Sequence, residues 1–387
     1  MKTNMSMLAL VILTLAILVT GSAQAGDQYF RYAATTNMWN TSSNFWGTVS
    51  GGPYNSVWIE YSDAIFEGAG GSVTVSGTQQ ANSLLFNING FTLTTGTLTI
   101  GNPLTPGLYV TNGATATLST ILNNSGSGNA IHIGKAGYSG TLVLNNNFAA
   151  LTGNNRALAI DNGNLYLSTV STSLGGGTGG ISIGSGTILT YDISSGVNWG
   201  TTAATTLTGS GTFVKKGTGT LILGSGGQNV NIDLGTGALI DLQAGSIETS
   251  SSFRGLWGNN YADLSVASGA IFKLKENQVP IGALNGAGIV SQDYSCAAPS
   301  LTLGRGDRSG SFTGVIKDNG SVASVTKTGT GTQTLSGVNT YSGATMINAG
   351  KLVGVVGGSC SASAVSVAAT SGNSAILGIS ITDNTKQ

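Results

Sequence analysis

Charge is scarce in this chain of 387 residues: Asp, Glu, Lys and Arg make up 8 % of it, with 15 basic and 15 acidic residues. Ordinary globular domains carry about 25 %. A net charge of zero without a basic cluster offers nothing to a phosphate backbone, so nucleic-acid binding is not expected. Proline occurs 5 times and glycine, though present 61 times, has no three-residue period, which excludes collagen. Good helix formers such as Glu, Lys, Arg and Gln are rare, so long helices are not expected. Two cysteines, Cys296 and Cys360, are too few for a disulfide framework in an exported chain. They either pair or serve as two small buried hydrophobes. Intrinsic disorder is excluded as well, because 40 % of residues are hydrophobic.

What is present is Gly, Ser, Thr and Asn, which fill about half of the chain, together with Val, Ile and Leu. The first segment reads as an address. Lys2 precedes an apolar run from Met7 to Val19, and Ala23-Gln24-Ala25 fits the small-x-small cleavage rule. The run is shorter than the ~20 residues that span a bilayer. Residues 1–25 are therefore expected to be a signal peptide, with no transmembrane helix in the mature chain.

From about residue 72 one phrase recurs: an alternating strand, a glycine corner, another alternating strand. Val73-Thr74-Val75, Leu98-Thr99-Ile100, Ile131-His132-Ile133, Leu142-Val143-Leu144, Leu165-Tyr166-Leu167 and Ile232-Asp233-Leu234 carry it. Period-two alternation turns one face inward, and Gly supplies the corners. Strand pairs return every 20 to 30 residues, the range of solenoids. The expected fold is all-β, a right-handed parallel β-helix over residues 72–387. About 12 to 16 coils at ~4.8 Å each predict a rod of about 60 to 75 Å. Stacked like charges would repel along such a ladder, which accounts for their scarcity. Asn123-Asn124, Asn145-Asn146-Asn147 and Asn154-Asn155 are expected to stack at corners.

Residues 26–71 differ in composition and hold Trp39, Phe45, Trp46, Trp58, Tyr61 and Phe66. A packed N-terminal cap is the expected role, and an aromatic sugar-binding platform is the alternative. The tail to Gln387 still reads as solenoid, with no closing cap.

Residues 324–354 read SVTKTGTGTQTLSGVNTYSGATMINAGKLVG. Lys327, Gly329, Gly331, Leu335, Gly337, Asn339, Tyr341, Gly343, Asn348, Gly350 and Leu352 closely resemble the autotransporter-associated β-strand repeat, also called the passenger-associated transport repeat. Gln333 departs from it, since the family usually has an apolar residue there. A partial copy at 209–227 carries Lys216, Gly217, Gly219, Leu221, Leu223 and Gly224 but lacks the Tyr-x-Gly half. The resemblance implies an exported β-helical surface or passenger protein of a Gram-negative-type bacterium, in which the repeat aids secretion and folding. It also implies a C-terminal β-barrel anchor, and no barrel pattern is visible here. The chain is thus expected to be either a fragment or a repeat protein released or anchored otherwise. Expected partners are surface polysaccharide or outer-membrane and extracellular components.

Chemistry is thin. The acids Asp63, Glu67, Asp161, Asp192, Asp233, Asp241, Glu248, Asp263, Glu276, Asp293, Asp307 and Asp318 are scattered. A polysaccharide lyase or hydrolase would gather such groups in one groove, for instance Asp233 and Asp241 with Lys273 or Lys275. His132, the lone histidine, cannot supply both a zinc site and a triad. Gly180-Ile181-Ser182-Ile183-Gly184 spells a nucleophile elbow but sits on a strand. Gly176 to Gly179 lacks the Asp of a calcium-binding repeat. Arg305-Gly306-Asp307 is expected to be a turn. No catalytic, cofactor or metal residues are expected. The predicted function is structural or adhesive, with a carbohydrate-active β-helix enzyme or a sugar-binding module as the alternative.

Overall fold

The computed structural model describes residues 26–32, 37–101, 106–124, 130–146, 157–168, 179–199, 205–224, 230–249, 257–275, 278–293, 300–355, 363–370 and 372–380. The signal-peptide segment, Cys296, Cys360, Glu276, Asn147 and Asn154-Asn155 lie outside them.

Alternation builds the ladder it predicts. Leu142 and Leu144 point inward while Thr141 and Val143 face out, and the same pattern repeats in Asn164–Ser168 and Val230–Leu234. One continuous column runs from Met38–Trp39 to Ala375–Ser380. Fourteen parallel pairings link its fifteen strands. At ~4.8 Å per step the column rises about 67 Å, within the predicted length. The protein is an all-β parallel β-solenoid.

Register makes the core a stack of like residues. Val73, Leu93, Leu118, Leu144, Leu167 and Tyr191 follow one another inside the column. The next two places are Lys215 and Leu242. A lysine inside an apolar column is the one local conflict in that run, and its resolution is described below.

The aromatic segment, expected as a packed cap, is continuous with the ladder. Asp27–Arg31 pairs in parallel with Ser62–Glu67, and Met38–Trp39 pairs with Ser72–Val75, so the segment supplies strands to the solenoid. Trp46–Gly47 then closes the outer edge of Asp27–Arg31 by an antiparallel pairing. That pairing satisfies an edge that would otherwise be open. The rings fill the interior: Trp46 and Trp58 lie 4.5 Å apart, Trp39 and Trp46 5.1 Å, and Phe66 stacks on Phe86 at 4.7 Å.

Asparagines act between coils. Asn112 Oδ1 accepts from the Ser139 backbone N–H at 2.9 Å, and Asn146 Nδ2 donates to the Ser119 carbonyl at 2.6 Å. A short amide reaches the neighbouring coil's corner backbone, which has unpaired groups to offer.

Candidate functional site

Asp233 and Asp241 do not meet the lysines. Asp233 lies in register with Thr208, whereas Asp241 lies on another column between Val214 and Ser265 and accepts from Gln243. Lys273 and Lys275 belong to a third column and pair with Glu248, Lys275 at 2.6 Å and Lys273 at 3.9 Å. Lys273 also lies 4.0 Å from Asp293, which accepts from Ser291 and Asn319. Glu248, Lys273, Ser291 and Lys317 are successive in register, so Glu248 meets the opposite charge of Lys273 and uncharged Ser291 separates Lys273 from Lys317. Opposite charges one step apart attract, and this is a surface ion-pair row.

His132 faces outward and meets Asp161 at 2.5 Å, both partly exposed. Ser182 is two steps along from His132, with Ala159 between them, so no Ser-His contact forms. Among the described residues no group of three His, Cys, Asp or Glu is placed to hold a metal, and no helix is long and apolar enough to cross a membrane.

Trp39, Trp46 and Trp58 are 0, 0 and 2 % exposed. A sugar platform needs exposed faces, so that alternative fails at these rings. The Arg305-Gly306-Asp307 turn is likewise absorbed by the fold. Arg305 donates to the carbonyls of Gly258 and Asn260, and its guanidinium lies 4.4 Å from the centre of the Tyr261 ring. Asp307 accepts from the Thr330 N–H at 2.7 Å, a bond that holds its carboxyl below the ordinary value. Arg308 adds an ion pair to Asp263. The turn clamps its coil to the next one and to the coil two steps before it.

The two repeat copies carry the most specific geometry. Lys327 ends the strand Ser324–Lys327 and sits inside a second column, between Leu303 and Ile347, fully buried. Its Nζ donates to the carbonyls of Thr328 (2.5 Å), Gly329 (2.8 Å) and Ala349 (3.3 Å). In the partial copy the equivalent lysine is Lys215, not Lys216. Lys215 is fully buried between Tyr191 and Leu242 and donates to Lys216 O (2.6 Å), Gly217 O (2.9 Å) and Ala244 O (3.3 Å). Lys216 points outward, in register with Asp192, whose carboxylate accepts from Tyr166 and raises that phenol to about 12. The spacing could have said so: Lys-x-Gly-x-Gly runs from Lys327 to Gly331 and from Lys215 to Gly219, and Lys216 is one place too late.

The closing corner recurs too. Ala244-Gly245 matches Ala349-Gly350, and both glycines adopt φ +67°. A Cβ on Gly350 would lie 2.5 Å from Gly331 O and 2.8 Å from Lys327 Nζ; one on Gly245 would lie 2.5 Å from Gly217 O. Only glycine fits these corners.

Gln333 also finds its reason. Fully buried, it donates from Nε2 to Leu284 O at 2.8 Å and accepts at Oε1 from Leu284 N–H at 3.0 Å. The side-chain amide replaces a strand at Leu284, 49 residues away in sequence, and a leucine could not. Asn339 Oδ1 does similar work for Ile316 N–H at 2.8 Å, and buried Tyr341 bonds Thr345 Oγ1 at 2.8 Å.

A family model described as the passenger-associated-transport-repeat matches residues 325–353. A curated relative, "Adhesin BmaC autotransporter" of Brucella suis biovar 1 (strain 1330), is 38 % identical over 160 residues. The matched stretch covers 39 % of this chain and 4 % of that protein, so the chain spans a small part of its relative. No solved structure matches. On the ladder, the repeat joints and this relative, the chain is a β-helical protein that carries the autotransporter-associated repeat.

Proposed function

We propose that the chain is an exported, non-enzymatic passenger-type rod that acts at the cell surface as scaffold and adhesive surface. The observation that carries this reading is the joining of a continuous fifteen-strand column to 38 % identity with a protein named as an adhesin autotransporter. Its stability comes from a buried ladder, which suits a chain that would cross membranes unfolded and fold outside. The outward faces are rows of Thr, Ser and Asn, such as Thr74, Thr94 and Ser119, and these fit hydroxyl-rich partners such as surface polysaccharide. Residues 1–25 would direct export.

Expression from Met1 to Gln387 in a Gram-negative host tests the reading. Processing before Gly26, protease sensitivity on intact cells and binding of the purified rod to glycan-coated or cell surfaces are expected. An unprocessed chain retained in the cytoplasm overturns export. Cleavage of polysaccharides by the purified chain would replace the adhesive reading with an enzymatic one.

A further inference from the structure

Two lysines fully buried in an apolar core raise a physical question: what replaces their water? An isolated buried ammonium is costly unless it is paired or fully hydrogen-bonded. Among the described residues no carboxylate lies within ion-pair distance of either lysine; Asp192 and Asp307 act on Lys215 and Lys327 only through space. Three backbone carbonyls surround each Nζ instead, one for each N–H of the ammonium. Carbonyl oxygens that take the place of a hydration shell are the usual backbone solution to holding a bare cation.

The two cradles are built alike. In each, two acceptors come from the residues at +1 and +2 of the lysine's own corner. The third comes from the Ala of the Ala-Gly corner in the following coil, Ala244 or Ala349. Distances repeat between the copies to within 0.1 Å: 2.6 and 2.5, 2.9 and 2.8, 3.3 and 3.3 Å. Glycine closes the Lys327 cradle, where the Cβ positions of Gly350 and of Gly304, from the preceding coil, each lie 2.8 Å from Lys327 Nζ; at the Lys215 cradle the Gly245 Cβ position lies 2.5 Å from the acceptor Gly217 O. The stems meanwhile lie in the apolar column, so the positive head and the greasy stem do separate work.

We infer that each joint is a backbone cation site whose resident ion is the chain's own ammonium, so that removing the lysine side chain opens a site for a small ammonium ion bearing N–H donors. Because the third acceptor belongs to the next coil, the site is complete only when that coil has docked. The joints therefore register the coil carrying residues 239–249 on that carrying 212–223, and the coil carrying 345–355 on that carrying 324–335.

Lys327→Ala and Lys215→Ala in the full chain, each followed by thermal unfolding, test this. Both variants are expected to melt several degrees below the unmodified chain. Methylammonium chloride is expected to recover part of the loss in a saturable way, while tetramethylammonium chloride at equal ionic strength, which has no N–H, recovers none. The unmodified chain is expected to respond to neither salt specifically. Lys327→Met keeps a stem but blocks the cradle, and its loss is expected to persist in methylammonium. Equal melting of variant and parent, or equal effects of the two salts, overturns the inference. Should the alanine variants fail to fold, the side-chain 15N spectrum of the unmodified chain decides. Two lysine ammonium groups with slowly exchanging protons support the site, and rapid exchange at every lysine overturns it.

Discussion

The first coils and the repeat coils stack on the same parallel ladder but close their interiors by opposite means. Near the N-terminus Phe30, Trp39, Trp46, Trp58, Phe66, Phe86 and Phe91 fill the space with rings, and the indole N–H groups of Trp39 and Trp46 have no hydrogen-bond partner among the described residues. In the repeats the interior admits Lys215, Lys327, Gln333 and Asn339, and each makes at least one hydrogen bond to the backbone of another coil. Rings give area and little direction, so they suit the end of a rod, where a coil must simply be covered. Polar groups give direction and little net energy, so they suit the middle, where identical strands stacked at one spacing can slip in register.

Four perturbations separate these two modes. Trp46→Ala removes a fully buried ring that touches Phe30, Trp39, Trp58 and Phe66. A loss of about 3–5 kcal/mol is expected in denaturant unfolding, the largest of the set. Gln333→Leu restores the residue type usual in the repeat yet strips Leu284 of both its partners. It is expected to cost about 2 kcal/mol, against the gain that pattern alone would forecast, and Gln333→Glu should not recover the donor half.

The third perturbation is pH. Burial pushes the Lys215 ammonium from 10.5 down to about 8, and burial lowers Lys327 in the same direction. Between about 8 and 10.5 the unfolded chain then binds more protons at Lys215 than the folded one, so stability rises with pH across that window. The rise is smaller in Lys215→Met, where only the Lys327 contribution is left. A flat or falling curve in the unmodified chain means that the three carbonyl bonds outweigh burial. The smallest effect is expected from His132→Ala: its pair with Asp161 is partly exposed, and a change within about 0.5 kcal/mol is expected by the same unfolding measurement.

Much of the architecture was readable one strand at a time. Ile131–Gly134 and Thr141–Leu144 announce their inward faces by alternation, and the length of the rod follows from how often the phrase returns. The contents of the repeat were less readable. Lys216 adjoins Gly217, yet the Lys-x-Gly-x-Gly spacing starts at Lys215, and burial along Thr212–Lys216 puts Lys215 inside and leaves Lys216 partly exposed. Gln333 looked like a flaw because its partner is Leu284, and nothing local to Thr332–Leu335 reveals a vacancy two coils away. The Arg305-Gly306-Asp307 turn was expected as a turn, but its partners, Gly258, Asn260 and Thr330, are 23 to 47 residues distant and nothing local names them.

By itself the sequence determined that this chain is a ladder: period-two alternation, glycine at corners and a near absence of charge admit few other ways to bury 40 % hydrophobic residues. Those signals are local, set by backbone sterics and by which face of a strand leaves water. Only the tertiary structure decided which polar residues go inside, because a buried lysine or glutamine is tolerable solely where another coil supplies its acceptors. It also decided that the three N-terminal tryptophans are core and not a binding face, since their aromatic partners come from strands as far apart as Asp27–Arg31 and Ser62–Glu67.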